Sequence, residues 1–90
     1  MEAAADVRIV NPTGLHARPS HAIVNLALAH KSELRVRCGS TEVNGRSILD
    51  LMTLGAPCDA ILSLSARGED APELISALVH LIEGGFGEVS

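Results

Sequence analysis

The sequence is almost without aromatic side chains: one Phe, Phe86, stands among 90 residues, with no Trp and no Tyr. A platform on which bases or sugar rings stack is therefore excluded, and a core has to be assembled from Leu, Ile, Val and Ala. A cationic excess is missing too. Lys and Arg number 7 against 11 Asp and Glu, a net charge of −4, whereas gripping a phosphate backbone takes a concentrated basic face. Nucleic acid is not an expected partner. Cys38 and Cys58 lack the paired spacing of a zinc or redox motif and are expected as packed thiols. No apolar run is long enough to cross a bilayer, and the opening MEAAADVRIV has neither the basic start nor the apolar stretch of a secretory leader. No membrane insertion is expected, and the cytoplasm is the expected compartment. With no internal repeat or low-complexity segment, residues 1–90 predict one domain.

What is present is alternation. In DVRIV, residues 6–10, Val7 and Ile9 share a face, and in ELRVRC, residues 33–38, Leu34, Val36 and Cys38 oppose Glu33, Arg35 and Arg37; both predict half-buried strands. Gly39-Ser40 offers a two-residue turn with glycine first, leading into TEVN, residues 41–44, as a third strand. AILSLSA, residues 60–66, alternates again and predicts a fourth.

Helical spacing fills the intervals. ARPSHAIVNLALAH, residues 17–30, aligns Ile23, Leu26, Ala27 and His30, with His30 and Lys31 at the negative end of the helix dipole. SILDLMTLG, residues 47–55, is a short helix with Ser47 as N-cap, Asp50 three residues on, and Gly55 and Pro57 as its stop. In DAPELISALVHLIEGG, residues 70–85, Leu74, Ala77, Leu78, Leu81 and Ile82 form a stripe, Asp70 caps, Glu73 takes the capping-box position and Gly84 terminates. Strands that alternate this cleanly have one wet face, which favours an antiparallel sheet with helices on the other. A two-layer α+β domain with right-handed connections meets these conditions.

The chemistry gathers in NPTGLHARPS, residues 11–20. If the first helix begins at Ala17, His16 is its cap, and the amides of Ala17 and Arg18 have no intrahelical acceptor. Pro19 has no amide hydrogen to lose and is tolerated in a first turn. Free amides, the positive helix end and the Arg18 guanidinium together predict an anion site beside His16. A neutral imidazole is a nucleophile, and Arg18 has two expected uses: it opposes a second positive charge on the ring before attack and offsets phosphoryl charge afterwards. Gly14 permits backbone angles closed to other residues, letting the loop bend and leave the ring exposed.

GLHARP, residues 14–19, followed by VNGRSILDLMTLG, residues 43–55, resembles the HPr family, the histidine-containing phosphocarriers of the bacterial phosphoenolpyruvate-dependent phosphotransferase system, over nearly the whole chain. The resemblance implies a βαββαβα open-faced sandwich with strand order 1-4-2-3 and three helices on one face of the sheet. It further implies that enzyme I moves a phosphoryl group from phosphoenolpyruvate to Nδ1 of His16, which hands it to a IIA domain. Arg18 and the amides of Ala17 and Arg18 would hold the phosphate, without cofactor or metal. Such a chain is a substrate of other enzymes, expected as a monomer.

The short second helix carries more apolar residues than one face buries. Leu51 and Leu54 are expected in the core, leaving Ile48, Leu49 and Met52 as a contact patch, with Thr13, Leu15 and Ser20 completing a partner surface near the histidine. By the same resemblance, Ser47 matches a position that HPr kinase/phosphorylase modifies in some members. A phosphate there adds up to about two negative charges and repels an approaching partner. Asp50 stands where many members carry glycine or lysine, and its charge is expected to weaken docking of the kinase or of enzyme I. His21 and His80 are expected as exposed helix histidines, and Arg35 and Arg37 as a solvated face. GGFGEVS, residues 84–90, is expected as a frayed tail with Phe86 tucked onto the core. Its Gly-Phe pair resembles the tails of nitrogen-branch phosphocarriers, so a purely regulatory carrier is the alternative reading, and a binding module that is never phosphorylated a more distant one.

Overall fold

The computed structural model describes residues 1–88. The chain runs β1 (Glu2–Arg8), α1 (Ala17–Leu28), β2 (Glu33–Cys38), β3 (Thr41–Asn44), α2 (Ile48–Thr53), β4 (Ile61–Arg67) and α3 (Ala71–Glu83), and closes in a 3-10 turn at Gly85–Gly87. The strands form one sheet in the order β1-β4-β2-β3, with every neighbouring pair antiparallel. This is the α+β open-faced sandwich expected from the sequence.

Register explains why the alternation reads so clearly. Ala5 pairs with Leu64, Leu64 with Val36, and Val36 with Val43, so one row of aliphatic side chains crosses the whole sheet toward the helices. The adjacent row, Asp6, Ser63, Arg37 and Glu42, faces water on the other side. There Arg67 lies between Glu2 and Glu33 in register and pairs with Glu2 at 2.9 Å, an arrangement that favours the observed pairing over a slipped one. The expected hairpin turn is present: Cys38 pairs with Thr41, and Gly39 takes φ +62, the left-handed first position that a glycine-led turn requires.

Several local expectations are corrected. β1 begins at Glu2, four residues earlier than its hydrophobic alternation suggests, because Ala3, Ala4 and Ala5 are drawn into pairing along the length of β4; neighbouring strands override weak intrinsic preference. Ile9, one residue beyond β1, remains fully buried. In α1 the buried face is Pro19, Ser20, Ile23, Val24 and Ala27, whereas Leu26 is only half-buried. The helix ends before His30, whose Nδ1 lies 2.6 Å from the Leu26 carbonyl and donates to it. Arg46, unforeseen in this role, reaches from the β3–α2 connection and donates to the carbonyls of Ala27 at 3.0 Å and Ser32 at 3.3 Å.

Asp70 precedes α3 but does not cap it with its side chain, and Glu73 forms no reciprocal capping bond among the described residues. The carboxylate instead accepts from the backbone N–H of Lys31 at 2.9 Å and from the Ser32 hydroxyl at 2.5 Å, tying α3 to the start of β2. The Ser32 hydroxyl and then the Lys31 amide hold its carboxyl below the ordinary carboxylate range. Leu74, Ile75, Leu78 and Ile82 bury the inner face of α3. The tail is not frayed as far as it is described: Phe86 packs against the core, and Glu88 comes back over the start of α1. Val89 and Ser90, the end of that expected tail, lie outside the described residues. Cys38 and Cys58 are free and half-buried, and no described helix is long and apolar enough to cross a membrane.

Candidate functional site

The loop between β1 and α1 is held from within and from behind. The N–H of Gly14 donates to the Asn11 carbonyl at 3.1 Å, closing a turn. The buried Asn11 side chain donates back to the Gly14 carbonyl at 2.8 Å and to Thr13 Oγ1 at 3.3 Å. The Leu15 amide then donates to the Ala56 carbonyl at 2.8 Å, fastening the loop to the segment after α2. Gly14 takes φ +70, and a Cβ there would lie 2.6 Å from the Ala56 oxygen and 2.9 Å from Pro57 Cα. Glycine is thus required twice, for its backbone angle and for the close approach.

Leu15 is the anchor of this loop. Expected on a partner-contacting surface, it is instead 5% exposed and packs into the core, which turns the next residue outward. Ser20 is corrected likewise: it lies on the inner face of α1, fully buried, with its hydroxyl lacking a partner among the described residues. Neither side chain is presented to a partner.

His16 has extended backbone angles and is the N-cap of α1 without capping through its side chain. Its carbonyl accepts from the Ser20 amide at 3.0 Å. Ala17 and Arg18 head the helix, so their N–H groups have no intrahelical acceptor. The imidazole is 41% exposed at the side chain, in an open depression of about 470 Å³ that Arg18, Pro19 and Phe86 also line. Among the described residues the Arg18 guanidinium has no ion pair.

A contact absent from the sequence reading completes the site. His16 Nε2 lies 3.2 Å from Glu88 Oε2, and the other carboxylate oxygen accepts from the Thr13 hydroxyl at 3.1 Å. An ionised carboxylate only accepts, so Nε2 carries the ring proton and Nδ1 of the neutral ring carries the lone pair. Glu88 is 72 residues from His16. No local pattern connects the two; only the return of the chain after α3 does. The resulting group combines a nucleophilic nitrogen with two helix-end amides and a guanidinium that are unpaired among the described residues, which is suited to receiving an anionic, electrophilic group such as phosphoryl.

On α2, Ser47 is the N-cap, its hydroxyl accepting from the Asp50 amide at 3.2 Å. Asp50 does not complete a reciprocal capping box; its carboxylate accepts from the Asn44 amide at 3.3 Å. Leu49 is 77% and Met52 43% exposed, as expected of a contact patch. Ile48, expected beside them, is half-buried and packs against the core, and Leu54 is half-buried as well.

Comparison with known proteins accords with this arrangement. Residues 3–84 match the family described as the PTS HPr component phosphorylation site. The phosphocarrier protein HPr of Neisseria meningitidis serogroup A is 42% identical over 82 residues, covering 91% of this chain and 92% of that protein. The crystal structure of HPr-C-His from Thermoanaerobacter tengcongensis superposes with a TM-score of 0.92 at 41% identity, over 98% of this chain and 99% of the other. An HPr dimer from the same organism gives 0.76 at 44% identity, over 91% and 94%. With a family match across nearly its whole length and a fold shared with solved members, the chain belongs to the HPr family, the phosphocarriers of the phosphotransferase system.

Proposed function

We propose that His16 Nδ1 accepts a phosphoryl group from phosphorylated enzyme I and delivers it to IIA domains for sugar uptake, the chain serving as a substrate of those enzymes in the cytoplasm. The observation that carries this reading is the exposed His16 ring, its Nε2 facing the Glu88 carboxylate, at the N-terminus of α1 beside Arg18. In the forward step the Nδ1 lone pair forms the P–N bond while the bond from phosphorus to the donor breaks, its electron pair staying with the donor. The Ala17 and Arg18 amides and the Arg18 guanidinium receive the phosphoryl oxygens. In the second step the P–N bond breaks and its pair returns to Nδ1. The leaving group is then a neutral imidazole still protonated at Nε2, which favours onward transfer.

Leu49 and Met52, exposed on α2, with Thr13 beside the histidine, supply the surface that both partners grip. Ser47 is a regulatory phosphorylation position for HPr kinase/phosphorylase, and the Asp50 amide already bonded to its hydroxyl would remain as a donor to the phosphate. The same carrier chemistry serves a nitrogen-branch, purely regulatory phosphocarrier, which the Gly85-Phe86 pair favours in sequence; supply of phosphoryl groups to sugar-specific or only to regulatory IIA proteins distinguishes the two.

The test is incubation of the pure protein with labelled phosphoenolpyruvate and enzyme I. The expected product is an acid-labile, alkali-stable phosphate that is absent from His16→Ala. Absence of label on the natural sequence, or equal label on His16→Ala, would remove this reading.

A further inference from the structure

Glu88 stands outside the acceptor machinery proposed above, yet it is the group that touches the acceptor ring. Its carboxylate spans the β1–α1 loop: Oε2 meets His16 Nε2 at 3.2 Å, and Oε1 takes the Thr13 hydroxyl at 3.1 Å. The contact with His16 is partly buried. The Glu88 side chain is 26% exposed, although it directly follows the Gly85–Gly87 turn, and Phe86 in that turn packs against the core. The turn that delivers it is sharply constrained, with Gly85, Phe86 and Gly87 at φ +68, +59 and +74. Phe86 is held in a left-handed backbone conformation that a bulky residue rarely takes, so packing of its ring fixes the path that brings Glu88 over His16.

We infer that Glu88 is a positioning residue for phosphoryl transfer, a carboxylate that orients the His16 ring, holds its proton at Nε2 and offsets the positive charge the ring acquires when Nδ1 is phosphorylated. Free imidazole distributes its proton between both nitrogens and turns about its side-chain bonds. A carboxylate on Nε2 removes the tautomer in which Nδ1 is protonated and useless as a nucleophile. As the P–N bond forms, the ring keeps its Nε2 hydrogen and becomes an imidazolium; the bond from Nε2–H to the carboxylate, until then charged on the acceptor side alone, gains a charged donor and strengthens at that moment. The arrangement follows the logic by which a buried aspartate orients and supports a catalytic histidine in hydrolytic triads. Charge around the ring is balanced by position: Arg18 is the cation lining the depression and Glu88 the anion, while Thr13, Pro19 and Phe86 contribute no charge. Arg18 serves the phosphoryl oxygens and Glu88 the ring.

This inference rests on the carrier reading, and Glu88→Ala and Glu88→Gln test it separately from that reading. Imidazole nitrogen NMR on the unphosphorylated full chain reads the tautomer of His16, and the initial rate of labelling by enzyme I reads transfer. Expected are a single Nε2–H tautomer in the natural sequence, a mixture in Glu88→Ala, and retention of the single tautomer in Glu88→Gln, whose amide carbonyl still accepts. Labelling is expected to slow about tenfold in Glu88→Ala, in line with loss of one charge-assisted bond that strengthens in the transition state; Glu88→Gln is expected to fall between the two. Labelling of Glu88→Ala at the natural rate overturns the inference. So does slowed labelling with an unchanged tautomer, which would make Glu88 a merely structural tie. If the natural chain takes no label at all, the carrier reading fails and this one with it; if it labels normally and only the Glu88 results disagree, this one fails alone.

Discussion

At the scale of single residues, the proposed transfer divides one task between Arg18 and His16. The imidazole supplies a lone pair and the guanidinium supplies countercharge, and the helix end supplies donors at no further cost in ordering because the first turn is already fixed. Arg18 is exposed, has no ion pair among the described residues and carries none of the core. Arg18→Glu is therefore expected to leave the thermal midpoint unchanged while slowing transfer from enzyme I roughly 100-fold, the scale set by removing one preorganised donor to developing charge; rapid-quench labelling measures it. His16, Ala17, Arg18 and Pro19 were legible in the sequence because a cap, free amides and a proline-bearing first turn are local. Glu88 was illegible because its partner is brought to it by β4 and α3. Leu15 and Ser20 were misplaced for a related reason: whether a residue next to an exposed one is itself exposed depends on what packs behind the loop, here Ala56 and the inner face of α1.

At the scale of elements, the ties between helices and strands come from groups that pattern alone assigns to capping. The sequence correctly marked Ser47 as the cap of α2, where the geometry closes within four residues. It marked Asp70 in the same way, but that carboxylate serves the start of β2. Local rules cannot weigh a neighbour that arrives from 38 or 39 positions away. Because the folded chain lowers the Asp70 pKa from the ordinary 3.8, protons bind the unfolded chain more readily there. The stabilisation is present above the unfolded value and is lost as pH falls through the lower, folded one. Thermal melts of the natural chain and Asp70→Asn are accordingly expected to differ most at neutral pH and to converge as pH falls below the ordinary carboxylate value. A gap that persists unchanged in strong acid would contradict this assignment.

At the scale of the whole molecule, an aliphatic core with no Trp or Tyr stabilises a sheet covered on one face only. Leu34, Leu62, Leu74 and Leu78 are all fully buried, and the row from Ala5 through Leu64 and Val36 to Val43 joins every strand to that core. Overall organisation was readable because periodicity of two and of 3.6 is imposed by the wet and dry faces themselves. The start of β1 was not, since alanines declare neither face until a partner strand exists. Leu78→Ala, deep between α3 and the sheet, is expected to cost about 2–5 kcal/mol, a large share of a typical stability of about 5–15 kcal/mol; urea unfolding followed by circular dichroism measures it.

The solitary benzyl ring has a further use. Phe86 lines the same depression as His16, so magnetic shielding from that ring makes nearby protons a built-in gauge of events at the imidazole, free of overlap from any second such ring. In mixtures with an enzyme, ultraviolet-excited indole emission originates wholly in the other component, and encounter can be watched from that side with no dye attached to either molecule.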